Sequence, residues 1–145
     1  IISAGAFGQL KRHRMATITG QVYDPALGLT IPKSITAIGM EKEFRKVVAA
    51  TEKVYKNILK TNPLAAPYIL TNAHRRKVLF KCNAREFYHF SRLREDATTQ
   101  WDIRNLAHEM TALARKKMPL TMLFIGAKDK YTQIYQEVFG PGGKS

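Results

Sequence analysis

One cysteine, Cys82, stands in a chain of 145 residues. A single thiol excludes a disulfide framework and a zinc site built from several cysteines. Acidic side chains are also scarce: 11 Asp+Glu face 24 Lys+Arg, a formal charge of +13. No apolar run approaches the roughly 18 residues a membrane span needs. Neither a glycine-rich dinucleotide fingerprint nor a phosphate loop occurs. No pair of carboxylates stands apart as an acid–base couple. His74, His89 and His108 lack partners at metal-ligand spacing, and no nucleophile is set up for covalent catalysis.

What remains is ample for a packed core. Apolar residues make up 45% of the chain, too many for a disordered basic tail. The length fits one domain over residues 1–145, with 140–145, rich in glycine, read as a flexible tail. Ile1 is not an initiator methionine, and no signal peptide is recognisable. The chain reads as the C-terminal piece of a longer polypeptide in the cytoplasm, without a membrane. So large a surplus of positive charge calls for an anionic partner. Nucleic acid, an anionic lipid surface and a phosphorylated small molecule compete, and composition alone favours nucleic acid.

Position then divides the charges. The pattern predicts a helix over residues 40–60. At about 100° per residue, Lys42, Arg45, Lys46, Lys53, Lys56 and Lys60 fall within about 60° of one line. Phe44, Val47, Val48, Val54, Tyr55, Ile58 and Leu59 lie opposite and are expected in a core. The basic stripe fits a phosphate backbone or an anionic lipid surface, but such a stripe is more often simply the solvated face of an amphipathic helix. Asn62-Pro63 ends the helix. Residues 15–19 read as extended and 20–32 as loop. Val78-Leu79-Phe80 reads as a strand, followed by helices over 84–94 and 98–117. In the last, Ile103, Leu106, Met110, Leu113 and Ala114 share a face opposite Arg104, His108 and Arg115. Residues 120–125 fit a strand or a short helix.

Two clusters carry chemistry. The first is Gln9-Leu10-Lys11-Arg12-His13-Arg14. Two guanidiniums flanking an imidazole suit phosphate or pyrophosphate oxygens. In an extended segment Arg12 and Arg14 would face one way and His13 the other. The second cluster begins at Asn83-Ala84-Arg85-Glu86 and continues through His89, Arg92, Arg94 and Gln100-Trp101-Asp102-Ile103-Arg104. Arg85 and His89 are four apart and share a helix face, while Asn83 sits at a capping position. An amide, a guanidinium and an imidazole there suit the polar edge of a heterocycle. Glu86, Glu95 and Asp96, among so many cations, are expected in ion pairs. Cys82 is read either as a reactive thiol or as an inert small hydrophobe.

In order and spacing these clusters resemble the flavin-dependent thymidylate synthase family (thymidylate synthase complementing protein). The resemblance runs through Arg12-His13-Arg14, the loop to Ile31-Pro32, an amphipathic helix, a strand, Asn83-Ala84-Arg85 and Gln100-Trp101-Asp102-Ile103-Arg104. It implies an α+β fold, with long amphipathic helices and a small sheet. It further implies a homotetramer with FAD at subunit junctions, and methylation of dUMP to dTMP with methylenetetrahydrofolate and NADPH. The reduced flavin would carry the hydride. By position, Arg12, His13, Arg14, Asn83, Arg85 and His89 would contact FAD. Gln9, Arg12 and Arg94 would face the nucleotide.

The family signature runs Arg-His-Arg-x-x-Ser-x-Asn-Glu-x-Ser-x-Arg. Here Thr17, Thr19, Gly20, Val22 and Asp24 stand at its Ser, Asn, Glu, Ser and final Arg. Pro67 aligns with a phosphate-binding arginine. The flavin half of the site is thus read as largely kept and the dUMP-anchoring residues as largely replaced. That pattern describes an inactive or structural copy, paired with copies of itself or with a second homologous domain. The alternative is a basic nucleic-acid-binding domain without catalysis.

Overall fold

In a computed structural model, residues 1–141 are described. Short strands and longer helices alternate: β1 (Ile2–Ser3), α1 (Ala4–Leu10), β2 (Thr17–Gly20), α2 (Lys33–Ala37), α3 (Glu41–Thr61), β3 (Arg75–Arg76), β4 (Val78–Lys81), α4 (Ala84–Arg94), α5 (Trp101–Lys117) and α6 (Tyr131–Phe139). Two small sheets form, β1 with β3 and β2 with β4. In the first, Ile2 faces Arg76 and Ser3 faces Arg75 in antiparallel register. The fold is α+β, as the resemblance implied. Of the segment read as a tail, residues 142–145 lie outside the described residues.

The chain forms two compact units. The first comprises Ile1–Gly8 and Thr19–Leu79. Its longest element, α3, carries Glu41 and Glu43 in the first turn and Lys60 in the last, each complementing the helix dipole. Glu41 also pairs with Arg45 one turn on, at 2.7 Å. The helix packs against α2 and the 3-10 turn Ala66–Ile69. These two short pieces cannot cover it. Val48 is buried, but Val47 remains 63% and Val54 44% exposed. The apolar face expected in a core is therefore partly open: Val47, Val54 and Leu59 are exposed, while Phe44, Tyr55 and Ile58 are half-buried. Asp24 and Pro67 serve local structure: Asp24 caps the turn Pro25–Leu27 by accepting the Ala26 N–H at 2.9 Å, and Pro67 starts the turn Ala66–Ile69.

The second unit comprises Gln9–Ile18 and the chain from Phe80 onward. Phe90 is fully buried at its centre. Its ring lies 5.4 Å from Phe80, 6.0 Å from Phe87 and 5.1 Å from His13, centre to centre. On α5 the buried stripe is Ile103, Ala107 and Thr111, one turn apart at each step. Leu113, expected on that face, is 63% exposed. The helix also starts three residues later than periodicity predicts. Asp96 Oδ1 accepts the Thr98 N–H and hydroxyl at 3.0 and 2.5 Å, turning the chain. Gln100 Oε1 then caps the helix, accepting the N–H groups of Asp102 and Ile103 at 3.1 Å each. Residues 120–125 are neither strand nor helix; they form turns that bury Met122 and Ile125.

Candidate functional site

The second unit holds every residue of the two sequence clusters that the resemblance marked as a site. Gln9 closes α1. Arg12, His13 and Arg14 follow in turns rather than in a strand. A turn separates the side chains as an extended segment would: Arg12 and Arg14 are exposed, whereas His13 is 2% exposed. From the other side α4 brings Arg85, His89 and Arg94. Asn83 caps that helix, its Oδ1 accepting the Glu86 N–H at 2.9 Å.

His13 is the hub. The Nε–H of Arg94 donates to His13 Nε2 at 2.9 Å. A guanidinium only donates, so Nε2 carries a lone pair and the ring proton sits on Nδ1. That Nδ1–H donates to Glu86 Oε1, 2.9 Å away. Arg94 in turn donates from Nη1 to Gln9 Oε1 at 2.7 Å. Gln9, Arg94, His13 and Glu86 thus form one hydrogen-bonded chain. Burial draws the His13 pKa below its ordinary 6.5; the Glu86 hydrogen bond opposes the shift and Arg94 adds to it. The neutral ring agrees with the hydrogen-bond pattern. Burial, and then the charge of Arg12, also lower the pKa of Arg94.

Beside this chain lies a cavity of about 410 Å³ lined by Met15, Asn83, Arg85, Glu86 and His89. The His89 ring stands 5.6 Å from His13. Three residues read from the sequence, Asn83, Arg85 and His89, therefore share one cavity wall. Gln9 and Arg94 join them through His13. Arg12 and Arg14 do not line this cavity.

Glu86 is the member sequence reasoning passed over. An ion pair was expected of it, but among Lys and Arg; its partner is a histidine 73 positions away, a distance at which no spacing rule operates. Glu95 behaves alike. It pairs with His108 at 3.0 Å and accepts the Ser91 hydroxyl at 2.5 Å and the Thr111 hydroxyl. Asp96 does pair with a lysine, Lys128, at 3.6 Å. Glu95, Arg104, His108 and Arg115 line a second cavity of about 520 Å³, closed on its other wall by residues of α6 and the turn before it. Cys82 is half-buried, and burial with the nearby Glu86 charge pushes its thiol pKa up. That favours the inert reading. Among the described residues no group of three or more His, Cys, Asp or Glu could hold a metal. No described helix is long and apolar enough to cross a membrane.

The sequence profile of the thymidylate synthase complementing protein family matches residues 1–120. The chain belongs to this family. Among relatives within it, the flavin-dependent thymidylate synthase of Geobacter sulfurreducens is 33% identical over 127 residues, covering 81% of this chain and 55% of the relative. That of Pyrococcus abyssi is 33% identical over 131 residues, covering 83% and 54%. A chlamydial UPF0159 protein, from Chlamydia muridarum, is 29% identical over 106 residues, covering 73% of this chain and 20% of its own length. The chain thus spans about half the length of the flavin-dependent thymidylate synthases it matches.

Proposed function

We propose that this member of the thymidylate synthase complementing protein family binds FAD and has lost most of the groups that anchor dUMP. One observation carries the reading: the hydrogen-bonded chain Gln9–Arg94–His13–Glu86, buried at His13 and Glu86, stands against a cavity walled by Asn83, Arg85 and His89. The donor set fits a flavin nucleotide. Asn83 has its oxygen engaged in the helix cap, so its amide N–H₂ remains to donate to a heterocycle edge. Arg85 and the exposed Arg12 and Arg14 are free to meet phosphate oxygens in bidentate pairs. When bound, a reduced flavin supplies a hydride. This chain's own residues bind and orient it, and NADPH and methylenetetrahydrofolate would be the co-substrates of a competent assembly.

The replaced positions support the second half of the proposal. Asp24 presents a carboxylate where the family pattern has an arginine, and Gly20 and Val22 offer no polar side chain. Losing two arginine contacts to a phosphate removes about 1.5–3 kcal/mol each. The chain would then act as a flavin-holding or structural copy, assembled with copies of itself or with a second homologous domain. The partly open apolar face of α3 supports assembly.

Titration with FAD, followed by flavin fluorescence and by melting temperature, tests the reading. The expected result is saturable binding and a rise in melting temperature, with no further rise on adding dUMP. Absence of FAD binding overturns it. Growth of a thymidine-requiring strain on this chain alone would overturn the lost-substrate half. Duplex binding with a steep salt dependence, together with absence of FAD binding, would favour the Lys42, Lys46, Lys53, Lys56 and Lys60 stripe as a nucleic-acid face.

A further inference from the structure

We infer that Glu86 is a positioning residue. Through the Nδ1-protonated ring of His13 it holds the Arg94 guanidinium ready to receive an anionic group of a ligand. The inference rests on the proposed function for the ligand, FAD, and moves Arg94 to it from the nucleotide, where the resemblance put it; the hydrogen-bonded geometry stands without either.

Glu86 opens α4, where an acidic side chain ordinarily points to solvent and complements the dipole. Here the side chain turns inward and is 6% exposed. It makes no hydrogen bond to Arg94; its reach to that residue is through the imidazole. With Nδ1–H held by Glu86, the lone pair of Nε2 is presented to Arg94. Arg94 then has its Nε–H on His13 and one Nη1–H on Gln9. The second Nη1–H and both Nη2 hydrogens are left, the fork that grips an oxyanion in two parallel bonds. The arrangement needs holding, because the neighbouring Arg12 charge repels Arg94. Without Glu86 the Nδ1–H would lie buried with no acceptor, which is costly. Ring rotation, which puts Cε1–H in the place of Nε2, or a shift of the proton to Nε2 relieves that cost, and either one takes away the lone pair to which the Nε–H of Arg94 donates. The groups facing His13 are then Arg94 from the end of α4, and Glu86 and His89 from its body; of these, Glu86 is the one hydrogen-bonded to Nδ1.

A test combines a spectroscopic readout with a double-mutant cycle. Long-range ¹H–¹⁵N spectra of the full chain report which His13 nitrogen carries the proton. Affinities for FAD, and for inorganic pyrophosphate as a bare anion, are measured for the wild type, Glu86→Gln, Glu86→Ala, Arg94→Ala and the double variant Glu86→Ala/Arg94→Ala. The wild-type ring is expected to be protonated at Nδ1 only. Glu86→Ala should weaken binding about tenfold, what one charge-assisted hydrogen bond contributes. On the Arg94→Ala background the same change should cost less than about twofold, the limit within which independent sites add. Glu86→Gln keeps an acceptor for Nδ1–H and should bind within about twofold of wild type. A proton on Nε2, equal costs of Glu86→Ala on both backgrounds, or Glu86→Gln as damaging as Glu86→Ala would each overturn the inference. So would a wild type that binds neither probe. Binding of pyrophosphate without FAD would sink the proposed function and leave this cycle to be read on pyrophosphate. Should Glu86→Ala fail to fold, Glu86→Gln/Arg94→Ala and the wild-type spectrum decide.

Discussion

The side-chain oxygen of Asn83 accepts the backbone N–H of Glu86 at 2.9 Å, so one residue both starts α4 and walls the cavity. The two roles use opposite ends of the amide and can be separated. Asn83→Ala removes both, and should cost about 1 kcal/mol in chemical denaturation. Asn83→Asp keeps the acceptor and adds a negative charge at the helix start, which the dipole favours. Its stability should match wild type within about 0.5 kcal/mol, while FAD affinity should fall about tenfold for the lost donor. Equal stability loss in both variants would refute the capping role; unchanged FAD binding by Asn83→Asp would refute the binding role.

His13 gives the site a signature in pH. Its pKa in the folded chain lies below the 6.5 it has when unfolded. Between those two values the unfolded chain binds more protons, so the stability that the neutral ring contributes is fully present above about pH 6.5 and is lost as pH falls toward the folded value. His13→Asn lacks this titration. The difference in melting temperature between wild type and His13→Asn, followed from pH 7.5 down to 5, should therefore shrink on acidification. A constant or growing difference would mean that the ring is not held neutral.

Local signals were legible in the sequence where a cap and a period agree. Helix α4 runs over the residues predicted for it, because Asn83 marks its start and Phe87 and Phe90 its buried side. Helix α5 is amphipathic to a similar degree, yet it starts later than its period predicts, since Asp96 and Gln100 offer competing side-chain acceptors and Gln100 caps the helix. Leu113 fits the apolar period yet lies outside the buried stripe, which follows Ile103, Ala107 and Thr111 at four-residue steps. Helix α6 starts without a capping side chain, and the turns over residues 120–125, which bury only Met122 and Ile125, carry no clear period. In the site, Arg85 and His89 were legible by their helical spacing and Asn83 by its capping position. Glu86 was not, because its partner His13 lies far away in sequence and a buried histidine–carboxylate pair leaves no local trace.

Cys82 offers a chemical check on the charge around the cavity. Burial and the Glu86 carboxylate both disfavour the thiolate, and the thiolate is the reactive form. Alkylation by iodoacetamide at pH 7.5 should proceed more slowly than for free cysteine. Glu86→Gln should speed it, by removing one of the two causes. Reaction at the free-cysteine rate in the wild type would show that the thiol does not sense this carboxylate.

The wall of the larger cavity depends on a contact that only glycine permits. A Cβ built on Gly126 would overlap Ile134 Cδ1, the far end of that side chain, so Gly126→Ala makes the Ile134 side chain shift. Ile134 is 8% exposed and is the buried residue of α6, and displacing it should cost about 1–3 kcal/mol by overpacking. The clash is with a terminal methyl, which valine lacks. Ile134→Val alone should cost about 0.5–1.5 kcal/mol. The double variant Gly126→Ala/Ile134→Val should be more stable than the sum of the two single losses predicts, because the second change relieves the first. Simple additivity in denaturant unfolding would place the cost of Gly126→Ala elsewhere, and would remove the case that α6 is seated through this contact.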